Sequence, residues 1–436
     1  MPDKKPHVVI VGAGFGGLNA ARQLSKAPVE VTLIDQNNYH LFQPLLYQVS
    51  TAMVSPSEIA YPVRSIFRKQ DNLNFRLAEI TGMDPKNQYV KTSTGSITYD
   101  YLILAPGGET NFFGLDSVAQ NGIGMKNLDD SIAIRNHILK LFELATQEDD
   151  PLTCQALRTF LIVGGGPTGV ECAGALAELI RLVLIKDFPG MDFSDTRILL
   201  LEMGDRLLAG FPEDLAERAL KTLEQKHVEV RFGAQVINYD GTHVRLKDSE
   251  EILTSTLIWA AGVRAVSVLD QSGLDQARQR RVVVQPTLQV PGYPQVFVIG
   301  DAAYLEVDGK SLPMVAPVAI QQAKLATRNI QHMISGQPLE GFQYQDPGSL
   351  ATIGRNAAVA EVKGFKFHGF VAWLVWLAVH LFWLIGFRNR LLVMINWAQD
   401  YIFYDRAERL ITPDGNPRTQ DRPWPEENAV VKEMEQ

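Results

Sequence analysis

The run Gly12-Ala13-Gly14-Phe15-Gly16-Gly17 has the spacing G-x-G-x-x-G. Glycines placed this way let the backbone approach a pyrophosphate, and a helix starting there adds N–H groups and the positive end of its dipole. A dinucleotide also needs an acid about 20 residues further on, to accept a hydrogen bond from a ribose hydroxyl. Asp35 stands there. A second run, Gly164-Gly165-Gly166-Pro167-Thr168-Gly169, repeats the pattern, with Glu202 as its acid. Its spacing is longer, and the excess falls in 187–196, where Pro189 and Gly190 mark a loop. A carboxylate at Glu202 would accept a ribose 2'-hydroxyl and repel a 2'-phosphate, so NADH is expected in preference to NADPH. The competing reading of Glu202 is a surface acid at a strand end. Two dinucleotide sites in one chain imply a hydride donor and a resident acceptor. The acceptor is expected to be FAD, bound without a covalent link, because a flavin takes two electrons as hydride and releases them to a different partner.

The elements needed to position these residues are legible. Val8 to Gly12 is a short β-branched run, Leu18 to Ser25 reads as helix, and Val29 to Asp35 is a second apolar strand, which together make a βαβ unit. Phe160 to Gly164, Val170 to Lys186 and Arg197 to Glu202 repeat it. A further buried-strand pattern, Val296 to Ile299, runs into Gly300-Asp301-Ala302-Ala303 after the second unit has ended. The first domain is therefore expected to be completed by a returning segment.

Composition narrows the class. A chain of 436 residues, 46% of them apolar, can bury a large core. The formal charge of -8 and the lack of a Lys/Arg block argue against a nucleic-acid partner. Its two cysteines, Cys154 and Cys172, form no CxxC pair, so neither a disulfide framework nor a metal site is expected, and a reducing compartment fits. Residues 1–7 are short and polar and leave no room for a signal peptide.

At this point the residues resemble the two-dinucleotide-binding-domain flavoproteins and, within them, the type II NADH dehydrogenases, which are non-proton-pumping NADH:quinone oxidoreductases. The resemblance runs from about Val8 to Ile411. It rests on both glycine motifs, on Asn38 to Tyr47, on Tyr101 to Gly107, on Ile258 to Arg264, on Val298 to Asp301 and on Ala316 to Gln322. It implies that Pro44 and Leu45 lie near the flavin, and that Asp301, following Gly300, holds the flavin's sugar-alcohol chain. Ala316 and Pro317 open a wall shared by flavin and quinone. Gln36, Asn37, Ala78 and Gly262 complete the cofactor-binding set. There are departures: Pro317 and Ile320 stand where many members carry Gln or His, which leaves Gln321 as the polar contact for a quinone. The usual Ala-Thr-Gly turn reads Ala105-Pro106-Gly107, with one hydroxyl and one N–H fewer. Glu171 matches a family residue implicated in proton handling or nucleotide ordering. Its alternative is an acid that simply favours the helix start.

The expected reaction is hydride transfer from NADH to FAD, followed by two-electron reduction of a membrane quinone. Pumping is not expected, because a pump needs several spans with ionisable residues inside the membrane. The expected architecture is α/β: 1–115 and 291–362 form a discontinuous FAD domain whose return carries a quinone-site helix, and 116–290 form the NADH domain. Residues 363–411 dock on the membrane and 412–436 are a flexible tail. A homodimer is left open. Two rivals are carried: a sulfide or disulfide oxidoreductase of the same fold, which lacks its redox cysteine pair here, and a flavin-containing membrane-associated sensing protein.

Gly369 to Phe387 carries no formally charged side chain and is long enough to span a bilayer. With His380 near its middle, insertion is only marginally favourable, and Lys or Arg flank both ends. Trp373, Trp376, His380, Trp383 and Phe387 fall at helical spacing, and their amphipathic tips suit the headgroup level. Together with Leu391 to Tyr404, this stretch is expected to lie on the bilayer surface at the cytoplasmic face, not to cross it.

Overall fold

The structure, a computed structural model, describes residues 5–403 and 405–412. The 413–436 part of the expected tail, and Tyr404, lie outside the described residues.

Two compact units share the chain. The first comprises the chain up to Leu41, Ala60–Glu109 and Val263–Pro347. Its sheet has the order Gln289–Val290, Tyr293–Val298, Tyr101–Leu104, His7–Val11, Glu30–Asp35, Leu73–Leu77, and only Gln289–Val290 runs antiparallel. Val8, Val9 and Ile10 in the middle strand are fully buried, as expected for a parallel strand covered on both faces. The helix Phe15–Gln23 crosses over and packs against the helix Ala316–Ser335, which ends at Gly336 in the left-handed conformation. The Tyr293–Val298 strand pairs with Tyr101–Leu104, so the returning segment closes the first sheet as expected. By contacts that return begins at Val263, earlier than residue 291, because the chain from there on packs with this unit.

The second unit comprises Phe42–Ile59, Thr110–Gly262 and the chain from Gly348. Its parallel sheet has the order Ile123–Gly124, Thr256–Trp259, Thr159–Val163, Arg197–Leu201, Glu229–Arg231. In each unit the strand preceding the glycine run lies between strands that lead off in opposite directions. That is the switch point where open α/β sheets bind ligands. Helical backbone continues from Pro167 through a π-helical turn, Leu179–Leu184, to Asp187, and the loop after it holds the extra spacing before Arg197.

The C-terminal part adds an antiparallel sheet, Ser349–Gly354, Ala357–Val362 and Phe365–His368, and two helices, Gly369–Trp383 and Phe387–Phe403. The apolar stretch is not one helix. Leu384 is extended and Gly386 has φ +92°, which breaks it after Trp383. Among the described residues no helix is long and apolar enough to cross a membrane. The orientation of the first of these helices also differs from expectation. Trp376 is 1% exposed, stacked on His380 at 4.0 Å and packed against Tyr47 and Trp397. The outward face is Phe370, Val371, Leu374, Phe382 and Trp383, so of the expected aromatic face Trp376 turns inward with His380 stacked on it, while Trp383 and, beyond the break, Phe387 are exposed as expected. The helix is apolar all round, so the aromatic spacing did not decide which side turned inward. Tyr47 and Phe42, which offer edge-on ring contacts to Trp376 and His380, did.

Candidate active site

The two glycine turns are built alike, bond for bond. Gly12 N donates to Ile34 O and Gly164 N to Leu201 O, at 2.7 and 2.8 Å. Ala105 N donates to Val11 O and Ala260 N to Val163 O, both at 2.8 Å. Gly12 and Gly164 have φ of +93° and +112°, where a side chain is strained. A Cβ at Gly17 would overlap the Gly12 carbonyl oxygen, and one at Gly169 would overlap that of Gly164. Gly14 and Gly166, in contrast, have nothing within 4 Å of an added Cβ, and neither following helix has a side-chain cap. An open concavity at a helix start fits a phosphate group.

The two acids repeat the same geometry. Asp35 Oδ2 accepts from Ala13 N at 2.6 Å and Oδ1 from Asn37 N at 2.7 Å. Glu202 Oε2 accepts from Gly165 N and Oε1 from Gly204 N, both at 2.6 Å. Each carboxylate thus ties its glycine turn to the chain just beyond its own strand. Each oxygen keeps a lone pair for a ribose hydroxyl. Burial raises the Asp35 pKa against the two N–H bonds that lower it. Ala78 N donates to Asp35 O at 2.9 Å, the counterpart of Ala234 N on Glu202 O, while Gln36 and Asn37 are exposed beside the acid. Phe15 packs edge-on against His40, whose Nδ1 pairs with Ala13 O at 2.8 Å. Burial lowers the His40 pKa to about 4, so the ring is neutral and Nδ1 carries the donated hydrogen.

Gly300 and Asp301 form a turn with φ +70° at the glycine. Gly300 N donates to Gln322 Oε1 at 2.7 Å, and an added Cβ at Gly300 would press on Ala319 at 3.2 Å. His40 Nε2 and Gln322 Nε2 are buried polar atoms with no partner among the described residues, the signature of a site that receives a polar group. Ala316 and Pro317 start their helix, with Pro at a position where its missing N–H leaves no helical bond unmade. Gln321 does not stand free: its Nε2 donates to Gln345 O at 2.8 Å and its Oε1 accepts from Gln345 N at 3.0 Å. Gln322, overlooked in the sequence, is the buried amide of the pair.

In the second unit, Pro44 and Leu45 form a tight turn leading into the buried helix Leu46–Ser50. Pro167 and Thr168 are exposed at the start of the glycine-run helix. Gly262 O accepts from Asn111 N at 3.0 Å, and the Phe113 ring fills the space a Cβ at Gly262 would need. Glu171 retains some exposed surface, but its carboxyl is crowded by protein, and this loss of hydration pushes its pKa up to about 8. Thr352 N reaches Oε1 at a long 3.4 Å, and the Trp376 indole lies beside the carboxyl without closing a good hydrogen bond. Tyr47, beside it, is raised well above the usual phenol range by burial and then by the Glu171 charge. Tyr47 and Trp376 approach Glu171 from segments far away in sequence.

Residues 6–323 match the family described as pyridine nucleotide-disulphide oxidoreductase, and 347–405 match the NDH2 C-terminal domain. The chain is 40% identical over 426 residues to a type II NADH:quinone oxidoreductase of Mycobacterium tuberculosis, covering 94% of this chain and 91% of that protein. It is 31% identical over 382 residues to a type II NADH:quinone oxidoreductase of Staphylococcus saprophyticus, covering 85% and 92%. The solved structure of NDH2 from Plasmodium falciparum in complex with NADH has the same fold, with a TM-score of 0.86 at 21% identity over 94% of this chain and all of that one. The sulfide:quinone oxidoreductase of Aquifex aeolicus, over 91% and 95%, gives 0.71 at 17% identity. Identity of this extent over nearly the whole length, on two glycine turns of matching geometry, places the chain in the type II NADH:quinone oxidoreductase family.

Proposed function

We infer that this enzyme oxidises NADH and reduces a membrane quinone, with FAD resident at the first glycine turn and NADH bound at the second. The observation that carries the reading is the duplicated clamp, in which Asp35 and Glu202 each tie an open glycine turn to the chain beyond their strand. When bound, FAD supplies a two-electron acceptor that can pass its electrons on to a quinone. Gly12, Ala13, Gly14, Phe15, Gly16 and Gly17 admit its pyrophosphate, Asp35 with Gln36, Asn37 and Ala78 takes the adenosine end, and Gly300 and Asp301 take the sugar-alcohol chain. Ala316 and Pro317 flank it. Gly164, Gly166, Pro167, Thr168 and Gly169 cradle the NADH pyrophosphate. Gly262 is the contact proposed for its nicotinamide half. Gln321 keeps one Nε2 hydrogen for a quinone oxygen, since only the other is spent on Gln345. Glu171 holds a proton on its carboxyl at neutral pH. The exposed Phe370, Val371, Leu374, Phe382 and Phe387 meet the bilayer, on the cytoplasmic face.

The purified protein should be yellow, should release free FAD on denaturation, and should oxidise NADH steadily with a soluble quinone. A folded, colourless protein that still turns over would overturn the reading. Steady NADH oxidation also separates an enzyme from a flavin-bearing sensor.

Glu202→Gln should raise the NADPH to NADH ratio of kcat/KM about tenfold, or about 1.4 kcal/mol. The amide NH2 would face one of the two N–H groups the carboxylate now accepts from, so NADH binding weakens too. The ratio is therefore the informative quantity, and a ratio that does not rise removes Glu202 from the ribose.

A further inference from the structure

Glu202 is followed by Met203, which is 67% exposed, and the neighbouring strand, Glu229–Arg231, is followed by Phe232, which is 37% exposed. A large apolar side chain standing singly in water is ordinary. These two stand on adjoining segments. Glu202 N donates to Arg231 O at 2.9 Å, Gly233 N to Gly204 O at 3.0 Å and Ala234 N to Glu202 O at 3.0 Å, so the chain past the acid runs alongside the chain past Arg231. The first unit has the same join in a shorter form. There Leu77 lies opposite Asp35, and the next residue, Ala78, donates to Asp35 O. In the second unit Arg231 lies opposite Leu201, which puts Phe232 opposite Glu202, and the donor is Ala234. One extra residue is looped out, with Gly233 in the left-handed conformation at φ +67°. The position after the acid differs as well, being Gln36 in the first unit and Met203 in the second.

We propose that Met203 and Phe232 are the platform on which the adenine of NADH rests. The base is bonded to C1′ of the ribose, next to the carbon whose hydroxyl Glu202 is proposed to take. It therefore comes to rest within a side chain's length of the carboxylate. The surface offered to it there is apolar, because Gly204 N, Gly233 N and Ala234 N are all spent within the protein. A thioether and an aromatic ring bind the face of a base, and they do so for any base. Recognition is thus divided: Glu202 reads the sugar hydroxyl, and Met203 and Phe232 hold the base by its faces without reading its edge.

This inference rests on NADH at the second glycine turn, and the test separates the two. ADP-ribose carries the base, both riboses and the pyrophosphate without the nicotinamide, and it is titrated by calorimetry into the full-length, flavin-loaded protein. Gly169→Ala should abolish measurable binding. Met203→Ala and Phe232→Ala, both at exposed positions, should each raise the Kd about fivefold to tenfold, the size of one lost stacking contact. Reduced nicotinamide mononucleotide has no adenine. The ratio of kcat/KM for NADH to that for the mononucleotide should therefore fall by the same factor in each variant, whereas a merely structural defect lowers both substrates alike and leaves the ratio unmoved. In reduced nicotinamide hypoxanthine dinucleotide an oxygen replaces the 6-amino group of the base, and wild type should oxidise it within about threefold of NADH. ADP-ribose binding that is unchanged in Gly169→Ala removes NADH from the second turn. Binding lost in Gly169→Ala but unchanged in Met203→Ala and Phe232→Ala overturns the platform alone, and so does an unmoved ratio. A preference for NADH over the hypoxanthine dinucleotide of about tenfold or more overturns the assignment of the base to its faces.

Discussion

Gly17→Ala should lose its flavin, whereas Gly169→Ala should keep the flavin and lose NADH. The two substitutions are sterically the same insult, because in each case the new methyl overlaps the carbonyl oxygen that opens the glycine turn. That contact is backbone to backbone within one turn, so no side-chain rotation relieves it, and the strand-to-helix connection must open. Overpacking of this kind typically costs about 1–3 kcal/mol, and more where the backbone itself must move. In Gly17→Ala the displaced N–H groups are those proposed to face the FAD pyrophosphate. Flavin occupancy should fall at least tenfold, read as the ratio of visible to protein absorbance. In Gly169→Ala occupancy should be unchanged, and kcat/KM for NADH should fall about 100-fold, equivalent to about 2.7 kcal/mol. Mixing the variant with NADH in a stopped-flow instrument, without quinone, isolates that loss. A flavin-free Gly169→Ala with a flavin-loaded Gly17→Ala would exchange the two assignments.

Why these turns were legible and the surroundings of Glu171 were not is a matter of range. Gly12, Gly17 and Asp35 are joined by hydrogen bonds and close contacts within one βαβ unit, so strand, turn, helix and acid can be read from spacing alone. Even the longer second copy is readable, because its extra residues fall into the loop after Asp187. Glu171 is different. Its character comes first from burial, with Thr352 and Trp376 beside the carboxyl from two distant segments, and no periodicity links them. The sequence left it as either a helix-start acid or a functional one; the packing that withdraws water from it decides its chemistry. Gln321 shows the converse. Its residue type suited a quinone contact, but most of its amide is engaged with the Gln345 backbone, a bond that only the fold reveals. The Gly369–Trp383 helix was legible as a helix and its facing was not, since a helix apolar on every side has no amphipathic signal to orient it.

That facing determines how the membrane region can be tested. Deleting the C-terminal helices would strip Trp376 and Trp397 from Tyr47 and Gln48, exposing the surroundings of Glu171, so a truncated chain would confuse docking with damage to the site. The outward face is separable. Phe382 and Phe387 are 74% and 83% exposed, on either side of the break at Leu384 to Gly386, and Leu391, Met394 and Ile395 are exposed apolar side chains further along the second helix. Arg390 holds the break in shape by donating to Leu384 O and Phe382 O at 2.7 Å each, through their backbone. Replacing both Phe side chains with Glu should therefore leave the turn intact. Burying one such ring is worth about 1.5–3 kcal/mol, so removing two and adding two charges should lower liposome binding at least about 100-fold. NADH oxidation with a soluble acceptor should persist, because neither side chain lies in the glycine turns or beside Glu171. The rate with quinone embedded in vesicles should fall at least tenfold, equivalent to about 1.4 kcal/mol. Sedimentation with vesicles and the two acceptor rates, measured on the same preparation, separate docking from catalysis. Full vesicle binding by the Phe382→Glu/Phe387→Glu protein would place the membrane contact elsewhere on the chain.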